Sequence, residues 1–150
     1  MKRTRMDEAS CPIARTLDVV GDWWSLLIVR DAFLGKRRFG EFQKSLGVAK
    51  NILSARLKTL LAADILASVP AADGSAFNDY VLTQKGRDLF PVVIALRQWG
   101  EKHGFSSGEH FPPLVDAACG KPLAPLEVRD AAGKSLKPQD TILLPMPQEA

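Results

Sequence analysis

A mainly α fold with a minor β component (α+β), followed by a small β-rich appendage, is what this 150-residue sequence predicts. Three observations carry the prediction. Apolar residues recur at helical spacing in successive segments between Cys11 and Ala63, and again after Thr83. Two short strand-like runs flank Asp73-Gly74-Ser75, a turn signal. Seven of the ten prolines lie beyond residue 105, which excludes long helices there. The length is that of about one domain, so the chain is read as a domain over 8–104 and a Pro-rich appendage over 105–150.

The elements follow in order. Cys11 to Val20 reads as a short helix, with Ser10 as its candidate cap and Pro12 in the first turn. Gly21 ends it, and Asp22 can cap a second helix from Trp23 to Leu34, stopped by Gly35. After Lys36-Arg37-Arg38 comes a short helix from Phe39 to Leu46, in which Phe39, Phe42 and Leu46 share a face. Gly47 makes a tight turn into a helix from Ala49 to Ala63. Ile65 to Pro70 and Asn78 to Thr83 read as a β-hairpin. A long helical stretch then runs to His103, with Pro91 as a kink or a fresh start and Leu89, Val92, Val93, Leu96 and Trp99 as its stripe. In the appendage, residues 126–129 and 141–144 read as short strands. A 13-residue echo relates Ala118-Cys119-Gly120-Lys121 to Ala131-Ala132-Gly133-Lys134, which predicts two like turns.

The helix from Ala49 to Ala63 separates into two faces. Counted from Lys50 at about 100° per residue, Ser54, Lys58 and Asn51 fall between about 40° and 100°. Leu60, Leu53 and Leu57 fall between about 280° and 340°, on the side that turns to a core. Leu61, at about 20°, blurs the division. Arg56, at about 240°, is predicted to fold back along the domain.

Composition narrows the function classes. A hydrophobic fraction of 46% with 25% charged residues excludes a disordered chain or a fibre. No apolar run approaches the ~18 residues of a membrane span. The charged start leads into no signal segment, so the expected location is the cytoplasm, with both cysteines free thiols. The net charge of +3 is uneven: residues 1–58 carry 12 Lys/Arg against 6 Asp/Glu. A basic third of this kind is the footprint of a polyanion partner. No acid/base or nucleophile set converges, so no catalysis is expected, and no cofactor or metal.

Helix, short helix, tight turn, helix, hairpin, helix is the order of a winged helix-turn-helix, a DNA-reading unit. The helix after the turn would enter the major groove of double-stranded DNA. Lys50, Asn51, Ser54 and Lys58 would approach bases and phosphates, since Asn suits adenine edges and Lys suits guanine or phosphate. Arg37 and Arg38 would anchor the backbone.

These residues resemble a known family. The runs Cys11-Pro12-Ile13-Ala14-Arg15, Gly21-Asp22-Trp23-Trp24-Ser25-Leu26-Leu27-Ile28, Arg37-Arg38-Phe39-Gly40-Glu41-Phe42, Leu53-Ser54-Ala55-Arg56-Leu57 and Tyr80-Val81-Leu82-Thr83 are similar to those of HxlR-type, MarR-like bacterial transcriptional regulators. The resemblance spans about residues 8–104. It implies a homodimer on a two-fold operator, with the first and last helices forming the interface. Trp23, Leu89, Val93, Leu96 and Trp99 are its candidate residues. Some members sense oxidants through the cysteine that Cys11 matches, where Arg15 and the helix start would stabilise a thiolate; the alternative for Cys11 is a buried structural thiol. The sequence departs from the family pattern at Ala49, where a capping Ser is common, and at Asp64, where a Gly usually ends the helix. Its wing, residues 68–77, has no basic residue. Its tail resembles that of longer members with paired cysteines, but keeps only Cys119, with Ala132 at the echo position. Zinc needs about four ligands, so the tail is read as metal-free.

Two rival readings remain open at this point. One is a ligand- or thiol-sensing regulator whose response depends on the appendage, with a small-molecule effector. The other is a protein-docking winged helix without DNA binding, motivated by the Arg-free wing.

Overall fold

Pro12 at the first helical position and Gly21 just past the last bound helix α1 (Pro12–Val20) in the computed structural model, which describes residues 4–148. The cap is Cys11 and not Ser10, because a residue before proline favours the extended backbone that a cap requires. Helix α2 (Trp23–Phe33) is capped by Asp22, whose carboxylate accepts from the Ser25 N–H at 3.0 Å and from the Ser25 hydroxyl at 2.6 Å. Helix α3 (Phe39–Leu46) ends at Gly47, whose φ of +61° lies in the left-handed region where a side chain is strained. Helix α4 (Lys50–Ala62) follows, with Ala49 at its cap making no side-chain bond. Asp64 takes the left-handed turn after α4 at φ +59°.

Strands β1 (Leu66–Pro70) and β2 (Asn78–Leu82) pair antiparallel, with Leu66 opposite Leu82 and Pro70 opposite Asn78. Their connection turns on Asp73, whose carboxylate accepts from the Ser75 N–H at 3.0 Å. The last helical stretch is two helices, α5 (Gln84–Arg87) and α6 (Phe90–His103). Pro91 sits at the second position of α6, where its missing N–H is harmless, so it starts a new helix rather than kinking an old one.

The core gathers Ile28 and Val29 from α2, Phe42 from α3, Leu53, Leu57 and Leu60 from α4, Leu66 from β1, and Val48 and Ile65 between elements. Each such side chain contributes about 1.5–3 kcal/mol on burial. Phe39, Leu46 and Leu61 pack against this cluster part-buried, which resolves the ambiguous angle of Leu61 in favour of the core.

Two compact units divide the chain, one ending at Val93 and the other starting at Ile94. The later part of α6 belongs with the appendage because its side chains hold it. Gln98 donates to the Ala124 carbonyl at 3.0 Å and accepts from the Leu126 N–H at 2.7 Å, and Arg97 donates to the Pro112 carbonyl. Residues 126–129 and 141–144 form no strand ladder, contrary to the sequence expectation. Pairing here is limited to isolated bridges, Val115 with Pro122 and Arg129 with Ser135. Pro122, Pro125 and Pro138 lack the N–H that a ladder needs.

The sequence echo does appear as two like turns. In one, the Asp116 N–H donates to the Lys121 carbonyl at 2.9 Å and the Asp116 carboxylate accepts from the Ala118 N–H at 2.7 Å. In the other, the Asp130 N–H donates to the Lys134 carbonyl at 2.9 Å, and its carboxylate accepts from Ala132 at 3.0 Å and Lys134 at 2.9 Å. A carboxylate closes each turn. Among the described residues no group of three or more His, Cys, Asp or Glu is placed to hold a metal ion.

Candidate nucleic-acid interface

The turn at Gly47 sets α4 against α3 with Val48 buried beneath it. Burial of Leu53, Leu57 and Leu60 fixes the rotation of α4, and so turns the opposite face outward. Lys50, Asn51, Ser54 and Lys58 all lie on that face, exposed. Among the described residues none of the four has a hydrogen-bond or ion-pair partner. Arg56 folds back, as its angle predicts, and its Nε lies 2.9 Å from the Asp22 carboxylate at the start of α2.

Arg37 and Arg38, the expected backbone anchors, stand just before α3 and form ion pairs within the fold. Both reach the wing. Asp79 of β2, only 3% exposed, receives the Arg37 Nε at 3.0 Å and the Arg38 Nε at 3.4 Å on its two oxygens. Arg38 also contacts Asp73 at 2.6 Å and the Ser75 hydroxyl at 3.2 Å in the wing turn. The backbone repeats the link, since the Tyr80 N–H donates to the Arg37 carbonyl at 2.6 Å. The Ser75 N–H and the Arg38 guanidinium hold the Asp73 carboxyl down at about 2, and Asp73 in turn raises Arg38 above its ordinary value. The two arginines therefore supply the positive charge that the wing lacks, and spend much of it on acidic partners inside the fold.

The pattern extends to the whole basic third. Between residues 4 and 58, Arg5, Arg30, Arg37, Arg38 and Arg56 each pair with a carboxylate, and Arg15 donates to the Ala9 carbonyl. Lys36, Lys44, Lys50 and Lys58 have no side-chain partner among the described residues. Lys36 and Lys44 line one surface hollow between the end of α2 and α3. Sequence reasoning missed both lysines and missed Asp79. The usable signal for Asp79 was an acid near the start of an otherwise half-apolar strand, with two arginines unaccounted for upstream.

The remaining predicted residues separate into two sets. Leu89 and Val93 pack part-buried against the core of their own unit, so they offer little surface to a second chain. Trp23, Leu96 and Trp99 are exposed at 73%, 52% and 69%. Cys11 is an exposed free thiol at the N-terminus of α1, and Cys119 is likewise exposed and free. No helix among the described residues is long and apolar enough to cross a membrane.

A family model described as HxlR-like helix-turn-helix matches residues 19–107. An uncharacterized HTH-type transcriptional regulator of Mycobacterium tuberculosis, Rv3095, is 34% identical over 138 residues, covering 83% of this chain and 87% of its own. Among solved structures, PA1607, described as a candidate transcription factor, is 53% identical with a TM-score of 0.88, covering 92% of this chain and 96% of its own. The redox regulator HypR in its oxidized form is 32% identical with a TM-score of 0.57, covering 62% of this chain and 97% of its own.

Proposed function

Because this chain belongs to the HxlR-like helix-turn-helix family of transcriptional regulators, we propose that it binds duplex DNA sequence-specifically as a homodimer, with α4 in the major groove. It acts in the cytoplasm as a regulator rather than an enzyme. The observation that carries the reading is the unpartnered polar face of α4. Four side chains able to contact base edges and phosphates stand exposed together, while the leucines on the other side lock the rotation of the helix.

Asn51 and Lys50 read bases near the start of α4, and Lys58 and Ser54 contact the flanking backbone. Lys36 and Lys44 take the phosphate-anchoring role, since the arginines beside them are engaged by Asp79 and Asp73. Trp23, Leu96 and Trp99 provide exposed apolar surface for the second protomer, and two α4 helices then address half-sites about 34 Å apart.

The test is fluorescence anisotropy with a labelled duplex from upstream of the protein's own gene, beside a random duplex, over a salt series. Lys50→Ala and Asn51→Ala are expected to weaken specific binding by about 1–3 kcal/mol with the dimer intact. Lys44→Ala should lower the salt slope by about one and leave selectivity unchanged. Unchanged operator affinity in both α4 variants would overturn the reading role of α4.

A second reading concerns Cys11. Its exposed thiol at the start of a helix, together with the likeness to a redox regulator, supports a thiol-sensing mode of the same DNA-binding protein. An oxidant that shifts operator affinity in the parent and not in Cys11→Ser supports it, and an equal response in both refutes it.

A further inference from the structure

The end of the appendage is an apolar strap with nothing against it. Ile142, Leu143, Leu144 and Met146 are 84%, 97%, 75% and 72% exposed. Among the described residues, 142–148 make no hydrogen bond. Pro145 and Pro147 remove two donors and bias Leu144 and Met146 toward extended backbone. A short proline-rich apolar segment of this kind is costly to leave in water and already ordered for docking.

The same unit carries a surface that suits it. An open groove of about 780 Å³ runs along α6, its apolar wall formed by Ala95, Trp99, Phe111, Leu123, Pro125 and Leu126 and its rim by polar and charged side chains of α6. Proline-containing extended segments dock in aromatic-lined grooves, where the rings cover the pyrrolidines and the side chains between them. In its own chain the strap does not line this groove. Each chain thus holds one unfilled groove and one uncovered strap, and two chains related by a two-fold axis satisfy both at once.

We propose that residues 142–147 of one protomer lie in the α6 groove of a second copy, and the reverse, as a reciprocal exchange. The area is adequate. With about 100 Å² buried per apolar strap side chain, two straps and the groove walls they cover bury on the order of 1,600 Å², the size of a stable interface. The exchange rests on the homodimer proposed above, and adds to it a contact that the helices alone do not make.

The experiment uses the full chain. Protein carrying a photoreactive benzoylphenylalanine in place of Leu143 is mixed in nitrogen-14 and nitrogen-15 forms, allowed to exchange subunits, irradiated and mapped by mass spectrometry. The expected result is mixed-isotope crosslinks from position 143 to peptides holding Trp99 or residues 123–126. Sedimentation of Leu144→Asp and of Leu126→Ala should each show a dimer dissociation constant raised at least about tenfold. The double variant should be little worse than either, because both remove one contact. Leu144 and Leu126 are exposed, so an unchanged thermal melt at matched oligomeric state reports an intact fold. A dimer with only same-chain crosslinks, or with crosslinks elsewhere, overturns the exchange and leaves the dimer standing. A parent protein that sediments as a monomer overturns both.

Discussion

Replacing Asp79 by Asn tests whether the two wing-directed arginines are structural. The carboxylate is nearly fully buried and meets two guanidinium nitrogens at 3.0 and 3.4 Å. Breaking a wholly buried pair costs about 3–5 kcal/mol, and an exposed pair contributes about 0.2–1 kcal/mol. Here the acid is buried, but the Arg37 and Arg38 side chains are 48% and 35% exposed, so water screens one side of each pair. Asn keeps the volume and one acceptor while turning a donor toward two donors. An intermediate loss of about 2 kcal/mol follows, or roughly 4–8 °C in Tm for a chain of this size. The assay is urea unfolding of Asp79→Asn, Arg37→Ala and the double variant, read as a cycle. A coupling of at least about 1 kcal/mol is expected, and one below about 0.3 kcal/mol would refute the structural assignment. DNA binding gives a second readout in the opposite direction. Freed arginines should steepen the salt dependence on random duplex by about one phosphate contact or more.

The other predictions are simpler. Ala49→Ser supplies the cap that α4 lacks and should raise the denaturant midpoint at unchanged slope, by about 0.5–1 kcal/mol. Gly86→Ala should destabilise by about 2–4 kcal/mol or prevent folding, because a Cβ there would stand 2.2 Å from the Ile65 carbonyl oxygen, which is backbone and cannot swing away. Carboxyl NMR should find Asp73 titrating at about 2, below the ordinary 3.8, and Arg38→Ala should move it part of the way back, since the Ser75 N–H remains. A depressed folded value means that the Asp73 contacts stabilise the wing fully above about 3.8 and lose that effect as pH falls toward 2. The acid-side difference in stability between parent and Arg38→Ala therefore shrinks across that window.

The helices were legible because their signals are local. Asp22, Gly47 and the spacing of Leu53, Leu57 and Leu60 each act within one or two turns, and they placed α2, α3 and α4 to within a residue or two. The last stretch was left open between a kink and a fresh start at Pro91, and the structure makes it a fresh start. Leu89, between α5 and α6, and Val93, in the first turn of α6, pack on the core, while Leu96 and Trp99 further along α6 stay exposed. The appendage was least legible. Its order comes from two Asx turns and from Gln98 reaching 26 and 28 residues along the chain, neither of which leaves a periodic trace.

The charge of the basic third shows why a sum over sequence misleads about a site. Arg38 and Asp79 are 41 residues apart, and their meeting depends on the hairpin register that sets Asp79 opposite Val69. No local window contains both. Once they meet, the planar forks of the arginines go to carboxylates, where their geometry is best used. The compact lysine charges, which gain less from a fixed partner, stay on the surface. The lysines without a side-chain partner among the described residues, Lys36, Lys44, Lys50 and Lys58, are spread from the end of α2 to the far end of α4. A wing without a basic residue follows from the same division. Its acids at 73 and 79 hold two arginines of the preceding segment, so the hairpin is fastened beside α3 by the groups that would otherwise have been free to bind phosphate.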